Sequence, residues 1–196
     1  MKLSDWRSVE LVDKGWSSDR KYRVAGEDGA VRLLRLADPA RYEEKRKEYE
    51  IIQKYARLGF PMSQPLDFGL CDEGVYMLLS WVEGEDLEAV LPSLPEAEQY
   101  RLGREAGEIL RRIHSIPLEP ADRPTGTKRE KKLRQLDRYE ASDLRYPGDG
   151  EAIRFVRSHI DRIWTEPPVY QHGDFHPGNL IYRPDGSLGV IDFNRR

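Results

Sequence analysis

The chain has 196 residues, with 32 Lys and Arg against 35 Asp and Glu and a formal net charge of -3. This balance argues against a broad nucleic-acid-binding or anionic-membrane surface as the main function. A hydrophobic fraction of 38% is too high for a disordered chain, and the single cysteine excludes an internal disulfide and a Cys-clustered zinc site. No apolar run approaches the about 18 residues of a membrane span, and the first residues lack the apolar stretch of a signal peptide. We therefore expect a cytoplasmic protein that binds neither nucleic acid nor a membrane.

The N-terminal part of the sequence is dominated by strand patterns. Strands are predicted over Ser8–Val12, Lys21–Gly26, Ala30–Leu36, Pro65–Cys71 and Val75–Trp81. One helix is predicted from Pro39 to about Leu58, because Asp38 is a suitable N-cap and Gly59 a suitable C-terminal stop. These elements predict a β-rich lobe with one helix.

The composition then changes to helical patterns. From Glu83 to Glu98 there are six acids and no Lys or Arg, which we interpret as a connector between two lobes. Helices are predicted over Pro95–Ser115, Lys128–Arg145 and Gly150–Trp164. The acids either form a solvated face or attract a cationic substrate.

A final hairpin is predicted from Leu180–Arg183 and Leu188–Phe193, joined by a Pro-Asp-Gly-Ser turn. The element order predicts an α+β fold with two lobes. The first covers residues 1–82 and is a β-rich nucleotide-binding lobe, and the second covers residues 83–196 and is mostly helical with a small hairpin. A cleft between lobes is a common site for small ligands.

The most informative residues lie in the stretch Gln171–Asn179 and in the later Ile191-Asp192-Phe193. Phosphoryl transfer from ATP needs a carboxylate that orients the attacking hydroxyl and oxygen ligands that hold magnesium. Asp174 and Asn179 lie five residues apart on a Gly- and Pro-containing loop, and Asp192 follows on the hairpin. This spacing matches the kinase pattern H-x-D-x-x-x-x-N followed by D-F.

The sequence HGDFHPGN followed by IDF resembles the aminoglycoside phosphotransferase and choline kinase group of protein-kinase-like small-molecule kinases. The resemblance extends over nearly the whole chain, since Leu78–Leu87 is similar to that family's lobe connector and Ala106–Ile116 to its long helix. It implies a two-lobed protein-kinase-like fold and ATP- and Mg²⁺-dependent transfer of a phosphate to a hydroxyl of a small molecule.

The resemblance also implies roles for individual residues. Asp174 would be the catalytic base, Asn179 and Asp192 would hold magnesium, and His172 would support the catalytic loop. The residues implied in ATP binding are Ser17 and Ser18 over the phosphates, Ser80, Trp81 and Val82 at the adenine, and Glu48 in the family's ion pair with Arg35. An ordinary polar turn at Ser17 and Ser18, and a surface pair at Arg35 and Glu48, are the alternatives.

Two departures from the family pattern stand out. Arg35 occupies the position where the family has its phosphate-binding lysine, and arginine and lysine are not interchangeable there. The family also continues well past the magnesium aspartate, which favours a truncated second lobe here and self-association of the truncated form.

The acceptor stays open at this point. An aminoglycoside or a similar polyhydroxy amine is the family default, and this implies antibiotic resistance, while choline, amino sugars, macrolides and other small metabolites are alternatives. A catalytically impaired nucleotide-binding fragment is a second hypothesis. A protein kinase is a weaker one, because no A-P-E signature is present.

Overall fold

The computed structural model of the protein describes residues 2–13, 18–123, 126–162 and 167–193. Ser17, expected over the phosphates, lies outside these residues. The strands are β1 (Ser8–Leu11), β2 (Arg20–Ala25), β3 (Val31–Ala37), β4 (Pro65–Cys71), β5 (Gly74–Ser80), β6 (Glu85–Asp86), β7 (Leu180–Tyr182) and β8 (Leu188–Val190). The helices are α1 (Tyr42–Ala56), α2 (Leu87–Val90), α3 (Glu96–His114), α4 (Lys128–Glu140) and α5 (Asp149–His159).

The chain divides into two compact units, one formed by Met1–Ser115 with Gln171–Arg196 and the other by Ile116–Tyr170. In the second unit, the Thr127 hydroxyl caps α4 by accepting the Glu130 N–H, and Glu130 returns a hydrogen bond to the Thr127 N–H. Such a capping box satisfies two helix-terminal donors. The predicted lobe boundary between residues 82 and 83 stays a prediction.

The larger sheet is antiparallel, with strand order β1-β2-β3-β5-β4. One face buries an apolar cluster formed by Val24, Leu34, Leu36 and Leu78. Helix α1 packs against β4 and β5 and buries Ile51, Ile52 and Tyr55. Ile51 and Ile52 lie four and three residues before Tyr55, so the three side chains share one face of the helix.

The smaller sheet has the order β6-β7-β8 and joins the acidic segment to the final hairpin. The segment that we interpreted as a plain connector therefore also contains β6 and the short helix α2. Gly84 makes this pairing possible, since a Cβ there would lie 2.3 Å from the Tyr182 carbonyl oxygen. Its φ of +141° is also a conformation that favours glycine.

Helix α3 holds the hairpin from behind. Glu105 Oε1 accepts the Leu188 N–H at 2.9 Å, and Arg101 Nη2 donates to the Gly186 carbonyl at 2.6 Å. These bonds fix the turn that precedes β8, and thereby the position of the residues that follow β8.

The predicted α+β class, with an N-terminal antiparallel sheet and a C-terminal hairpin, is confirmed. Two helix ends differ from the predictions. Helix α4 ends at Glu140 because the Arg145 guanidinium binds the carbonyls of Glu140 and Ser142, which holds the chain in a turn. Helix α5 ends at His159 and is followed by the 3-10 turn Ile160–Arg162. Within the described part of the chain, no helix combines the length and apolarity needed to cross a membrane.

Candidate active site

An open cleft of about 850 Å³ lies in the larger unit, and it is lined by residues of both sheets, of α1 and of the loop before β7. Its charged and amide side chains are Lys21, Arg35, Arg41, Glu44, Lys45, Glu48, Asp86, Glu88, Asp174, Asn179 and Asp192. Of the residues predicted for ATP and metal binding, Ser18, Arg35, Glu48, Trp81, Val82, Asn179 and Asp192 line this cleft, as does Asp174. Ser80 and His172 are not among the lining residues.

His172 lies behind the loop and connects it to the strand that precedes Asp192. It is 1% exposed, its Nε2 is 2.9 Å from the Ile191 carbonyl, and its Nδ1 accepts the Asp174 N–H at 3.3 Å. A carbonyl can only accept, so Nε2 carries the proton and the ring is neutral. Burial lowers the pKa of His172, although the Ile191 carbonyl and the nearby carboxylates Asp192 and Asp174 oppose this shift. The supporting role of His172 stays a prediction, and these contacts are the ones on which it depends.

Asp174 and Asn179 are brought together by the turn between them. His176 Nδ1 accepts the Gly178 N–H at 3.2 Å and so caps the 3-10 turn Pro177–Asn179. Asn179 Nδ2 then donates to the Asp174 carbonyl at 2.8 Å and approaches Asp174 Oδ2 at 3.4 Å. The amide nitrogen is thereby occupied, and Asn179 Oδ1 is the side-chain oxygen that could meet a ligand. The Asp174 side chain is half exposed towards the cleft.

Asp192 is held in an unusual backbone conformation. Its φ is +61°, the only positive value among the described non-glycine residues. Such strain concentrates at functional sites, where surrounding contacts enforce it. Here the Ile191 N–H donates to the Asn179 carbonyl at 3.1 Å, and the Phe193 ring packs 4.8 Å from the His172 ring and 5.2 Å from the Tyr55 ring. Asp192 is therefore fixed between two anchored neighbours.

The opposite wall contains the predicted ion pair of β3 and α1. Arg35 Nη1 lies 2.7 Å from Glu48 Oε1, and both side chains are largely buried. Arg35 Nη2 also donates to Asp19 Oδ2 at 2.6 Å. A surface pair is thus excluded, because the Arg35 side chain is only 4% exposed.

Asp19 is the centre of this cluster. Lys45 Nζ donates to its Oδ2 at 2.6 Å, and Arg41 Nη1 donates to its Oδ1 at 2.8 Å and to the Ser18 hydroxyl at 2.7 Å. Burial by itself raises the pKa of Asp19, but Arg35 and Lys45 together bring it below its ordinary value. Lys45 also contacts Glu48 at 2.8 Å. Arg41 and Lys45 were not predicted as site residues, since nothing in their spacing indicates that they meet Asp19.

Lys21 is a further residue that the sequence analysis missed. It lies on β2 directly opposite Arg35 on β3, is 9% exposed, and lines the cleft. Its Nζ lies 3.3 Å and 3.4 Å from the two carboxylate oxygens of Asp192. The signal that could have found it is the β2–β3 register, which places its side chain beside that of Arg35.

At the connector, the backbone groups of the three predicted adenine-binding residues differ in availability. The Ser80 N–H donates to the Gln64 carbonyl at 2.8 Å, and the Trp81 N–H donates to the Val31 carbonyl at 3.4 Å. Within the described residues the Val82 N–H has no acceptor, and Val82 lines the cleft. Val82 therefore offers the free donor.

The donor set fits a magnesium ion. In the described ranges no three His, Cys, Asp or Glu side chains converge in a preformed cage. Magnesium keeps several waters and takes only one or two protein carboxylates, so a set of Asp192 and the Asn179 amide oxygen is chemically suitable.

The comparisons with known proteins agree with this geometry. The sequence model of the phosphotransferase enzyme family matches residues 8–195. The chain belongs to this family. The match confirms the resemblance carried by the HGDFHPGN and IDF motifs. A search of curated proteins finds no match.

Solved structures show that this phosphotransferase-family chain shares the fold of antibiotic kinases at low identity. An aminoglycoside phosphotransferase APH(3'')-Id from Streptomyces rimosus, in complex with ADP and streptomycin, is 20% identical with a TM-score of 0.59, and the match covers 95% of this chain and 70% of that one. The gentamicin complex of APH(2")-IIa is 18% identical with a TM-score of 0.68, and the match covers 96% of this chain and 65% of that one. A macrolide 2'-phosphotransferase type I is 15% identical with a TM-score of 0.66, and the match covers 97% of this chain and 66% of that one. The chain thus spans about two thirds of the length of these structures.

Proposed function

We propose that this chain is an ATP-dependent phosphotransferase that moves the γ-phosphate to a hydroxyl of a small molecule. The observation that supports this most directly is the convergence of Asp174, Asn179 and Asp192 on one cleft, opposite the buried Arg35–Glu48 pair. The family match supports the reaction class, and the ADP named for the Streptomyces rimosus structure supports a nucleotide donor.

In this proposal Asp174 is the catalytic base. Its half-exposed carboxylate accepts the proton of the acceptor hydroxyl, and Asn179 restrains its backbone through the 2.8 Å bond to its carbonyl. A general base must lie within hydrogen-bond reach of the proton it removes, and the open side of the cleft gives an acceptor that access. The neutral His172 keeps the loop in register with Ile191 without adding charge.

Asp192 and Asn179 are the proposed magnesium ligands. The bound Mg²⁺ would neutralise phosphate charge, and bound ATP would supply the transferred group. For the nucleotide base, we propose that the Val82 N–H is the connector donor, with Trp81 beside it in the lining of the cleft. Ser18, held by Arg41, borders the phosphate region.

The proposed acceptor is a polyhydroxy amine such as an aminoglycoside. Asp86 and Glu88 line the cleft on the side of β6 and α2, and Glu88 approaches the catalytic loop, since a Cβ on Gly178 would lie 2.9 Å from Glu88 Oε2. Carboxylates at this edge favour a cationic acceptor by charge complementarity. Resistance to such an antibiotic, a cytoplasmic location and self-association stay predictions, and sedimentation of the purified chain tests the last.

The test is a transfer assay on the 196-residue chain with ATP and Mg²⁺ and a panel of aminoglycosides, amino sugars, choline and macrolides. Mass spectrometry identifies the phosphorylated acceptor. Asp174→Asn should lower kcat by about 10²- to 10⁴-fold, because general base catalysis contributes on that order, while ATP affinity stays unchanged. Asp185→Asn, at an exposed turn residue outside the cleft, is the matched control and should keep full activity.

Full turnover by Asp174→Asn would show that the base is assigned wrongly. ATP binding without transfer to any acceptor in the panel would support the alternative of a catalytically impaired nucleotide-binding fragment.

A further inference from the structure

Among the described residues of the cleft, two cations lie side by side on neighbouring strands and are candidates for binding the nucleotide phosphates. Lys21 on β2 and Arg35 on β3 are directly paired across the sheet, and both line the cleft. Directly opposed residues of an antiparallel pair project from the same face, so the two side chains start from equivalent positions. Their environments differ.

Arg35 is held within the wall through both of its terminal nitrogens. Its two terminal nitrogens contact Asp19 at 2.6 Å and Glu48 at 2.7 Å, and its side chain is 4% exposed. Turning Arg35 towards a ligand would remove it from two buried carboxylates. Breaking such a buried pair is strongly unfavourable, because it leaves charge without a partner in a region of low dielectric constant.

The other two described cations of the cleft wall also have two carboxylate partners each. Lys45 is bonded to Asp19 and Glu48, and Arg41 to Asp19 and Glu44. The cluster of Asp19, Arg35, Arg41, Lys45, Glu44 and Glu48 carries three positive and three negative charges. It is therefore balanced within itself.

Lys21 is held only by Asp192 among the described residues. The separations of 3.3 Å and 3.4 Å are long for a charge-assisted hydrogen bond, whose typical distance is about 2.7–2.9 Å. Lysine also carries its ammonium on a flexible four-carbon stem that can redirect the charge. The contact is thus one that Lys21 can give up.

The partner of Lys21 also indicates its ligand. Asp192 is the carboxylate that we propose for the metal, so the Lys21 ammonium lies beside the place where metal-bound phosphates would be held. A compact ammonium there suits phosphate oxygens as a point charge.

We propose that Lys21, and not Arg35, is the cation that binds the nucleotide phosphates, and that Arg35 serves the buried ion cluster. The phosphate-binding position has thereby moved from β3 to the neighbouring strand. This inference rests on the proposed nucleotide-dependent function.

Calorimetric titrations with ATP–Mg²⁺ and with adenosine test it, since only ATP carries phosphates. Lys21→Met should weaken ATP binding by about ten- to a hundredfold, as expected for loss of a hydrogen bond to a charged group, and should leave adenosine affinity unchanged. Arg35→Lys should lower the unfolding temperature without changing the ratio of the two dissociation constants. Lys47→Met, at an exposed lysine of α1 outside the cleft, is the matched control and should change neither.

A second measurement needs no variant. Lysine-specific acylation of the wild-type chain, read by mass spectrometry, should be suppressed at Lys21 by ATP–Mg²⁺ and not by adenosine, while Lys47 reacts equally in both.

Equal protection of Lys21 by ATP and adenosine would overturn the proposal, as would a raised ratio of dissociation constants in Arg35→Lys with an unchanged ratio in Lys21→Met. In both cases the wild-type chain binds ATP, and the proposed function stands. If the wild-type chain binds neither ATP nor adenosine, the proposed function fails and this inference fails with it.

Discussion

The loop segment, meaning residues 171–179 together with residues 191–193, and the wall formed by β2, β3 and α1 face the same cleft but are held by different interactions. The loop segment is held mainly by neutral groups, namely the His172 hydrogen bonds and the packing of Phe193 on Tyr55 and His172. The wall is held by a charge cluster centred on Asp19. The neutral anchoring leaves the carboxylates of Asp174 and Asp192 for ligands. In the wall, most charged side chains are paired with one another and stabilise the fold.

Asp19→Asn, in the charged wall, is expected to lower the free energy of unfolding most. It leaves Arg35 and Lys45 with one carboxylate between them, so the free energy of unfolding should fall by about 3–5 kcal/mol. Urea unfolding at neutral pH measures the loss. Asp185→Asn removes an exposed ion pair with Arg183 and should lower the unfolding free energy far less than Asp19→Asn. Equal losses in the two variants would contradict a structural role for the Asp19 cluster.

The Asp19 carboxylate also makes the free energy of unfolding depend on pH. Its pKa in the folded chain lies below the ordinary value of 3.8, so the unfolded state takes up the proton first as the pH falls. The stabilisation is therefore complete above about pH 5 and is lost as the pH drops through 3.8 and below. The difference in unfolding free energy between wild type and Asp19→Asn should shrink from pH 7 to pH 3. A constant difference across this range would show that Asp19 is not held as a charged group.

In the loop segment, His172→Gln should lower the free energy of unfolding by an intermediate amount. The amide can replace Nε2 at the Ile191 carbonyl but leaves the Asp174 N–H without an acceptor, at a cost of about 1–3 kcal/mol. Hydrogen exchange should show faster exchange at Asp174 and unchanged protection in β3. Equally faster exchange at Asp174 and in β3 would mean that the loop segment and the charged wall are not held independently of each other.

The smallest effect on stability is expected for Asp192→Asn. Asparagine tolerates a positive φ, and its amide oxygen can still accept from Lys21 at the long distance of 3.3 Å, so the unfolding free energy should fall less than in the Asp19 and His172 variants. The increase in ATP affinity on adding Mg²⁺ should nevertheless be lost, because the charged ligand is gone. Titrations with and without Mg²⁺ measure this, and a retained increase would place the metal elsewhere.

The sequence predicts the functional residues of the loop segment better than those of the charged wall formed by β2, β3 and α1. His172, Asp174 and Asn179 lie in one loop motif and Asp192 lies in the IDF motif after the hairpin, so the kinase spacing and the family resemblance indicated their roles before the structure. The Arg35–Glu48 pair followed from family resemblance.

The rest depends on pairing between distant strands. Lys21 is one of several basic residues around β2, and only the register with β3 and the position of Asp192 distinguish it. Asp19 precedes β2 without any signal of burial. Strand β6 has two residues and exists only because Glu85 and Asp86 pair with β7, so local pattern analysis describes it as a connector.

That distant pairing also determines when the protein can complete its folding during synthesis. Met62 forms a parallel bridge with Val190, and the Ser63 N–H and the Pro61 carbonyl bond to the same residue. During translation the ribosome releases β1 to β5 long before it synthesises Val190. The nascent chain therefore waits with Met62 and Leu87 uncovered, both of which are buried in the folded protein. Apolar surface exposed for that interval is a binding site for chaperones and a risk of aggregation, which makes the yield of folded protein sensitive to the speed of synthesis of its final strands.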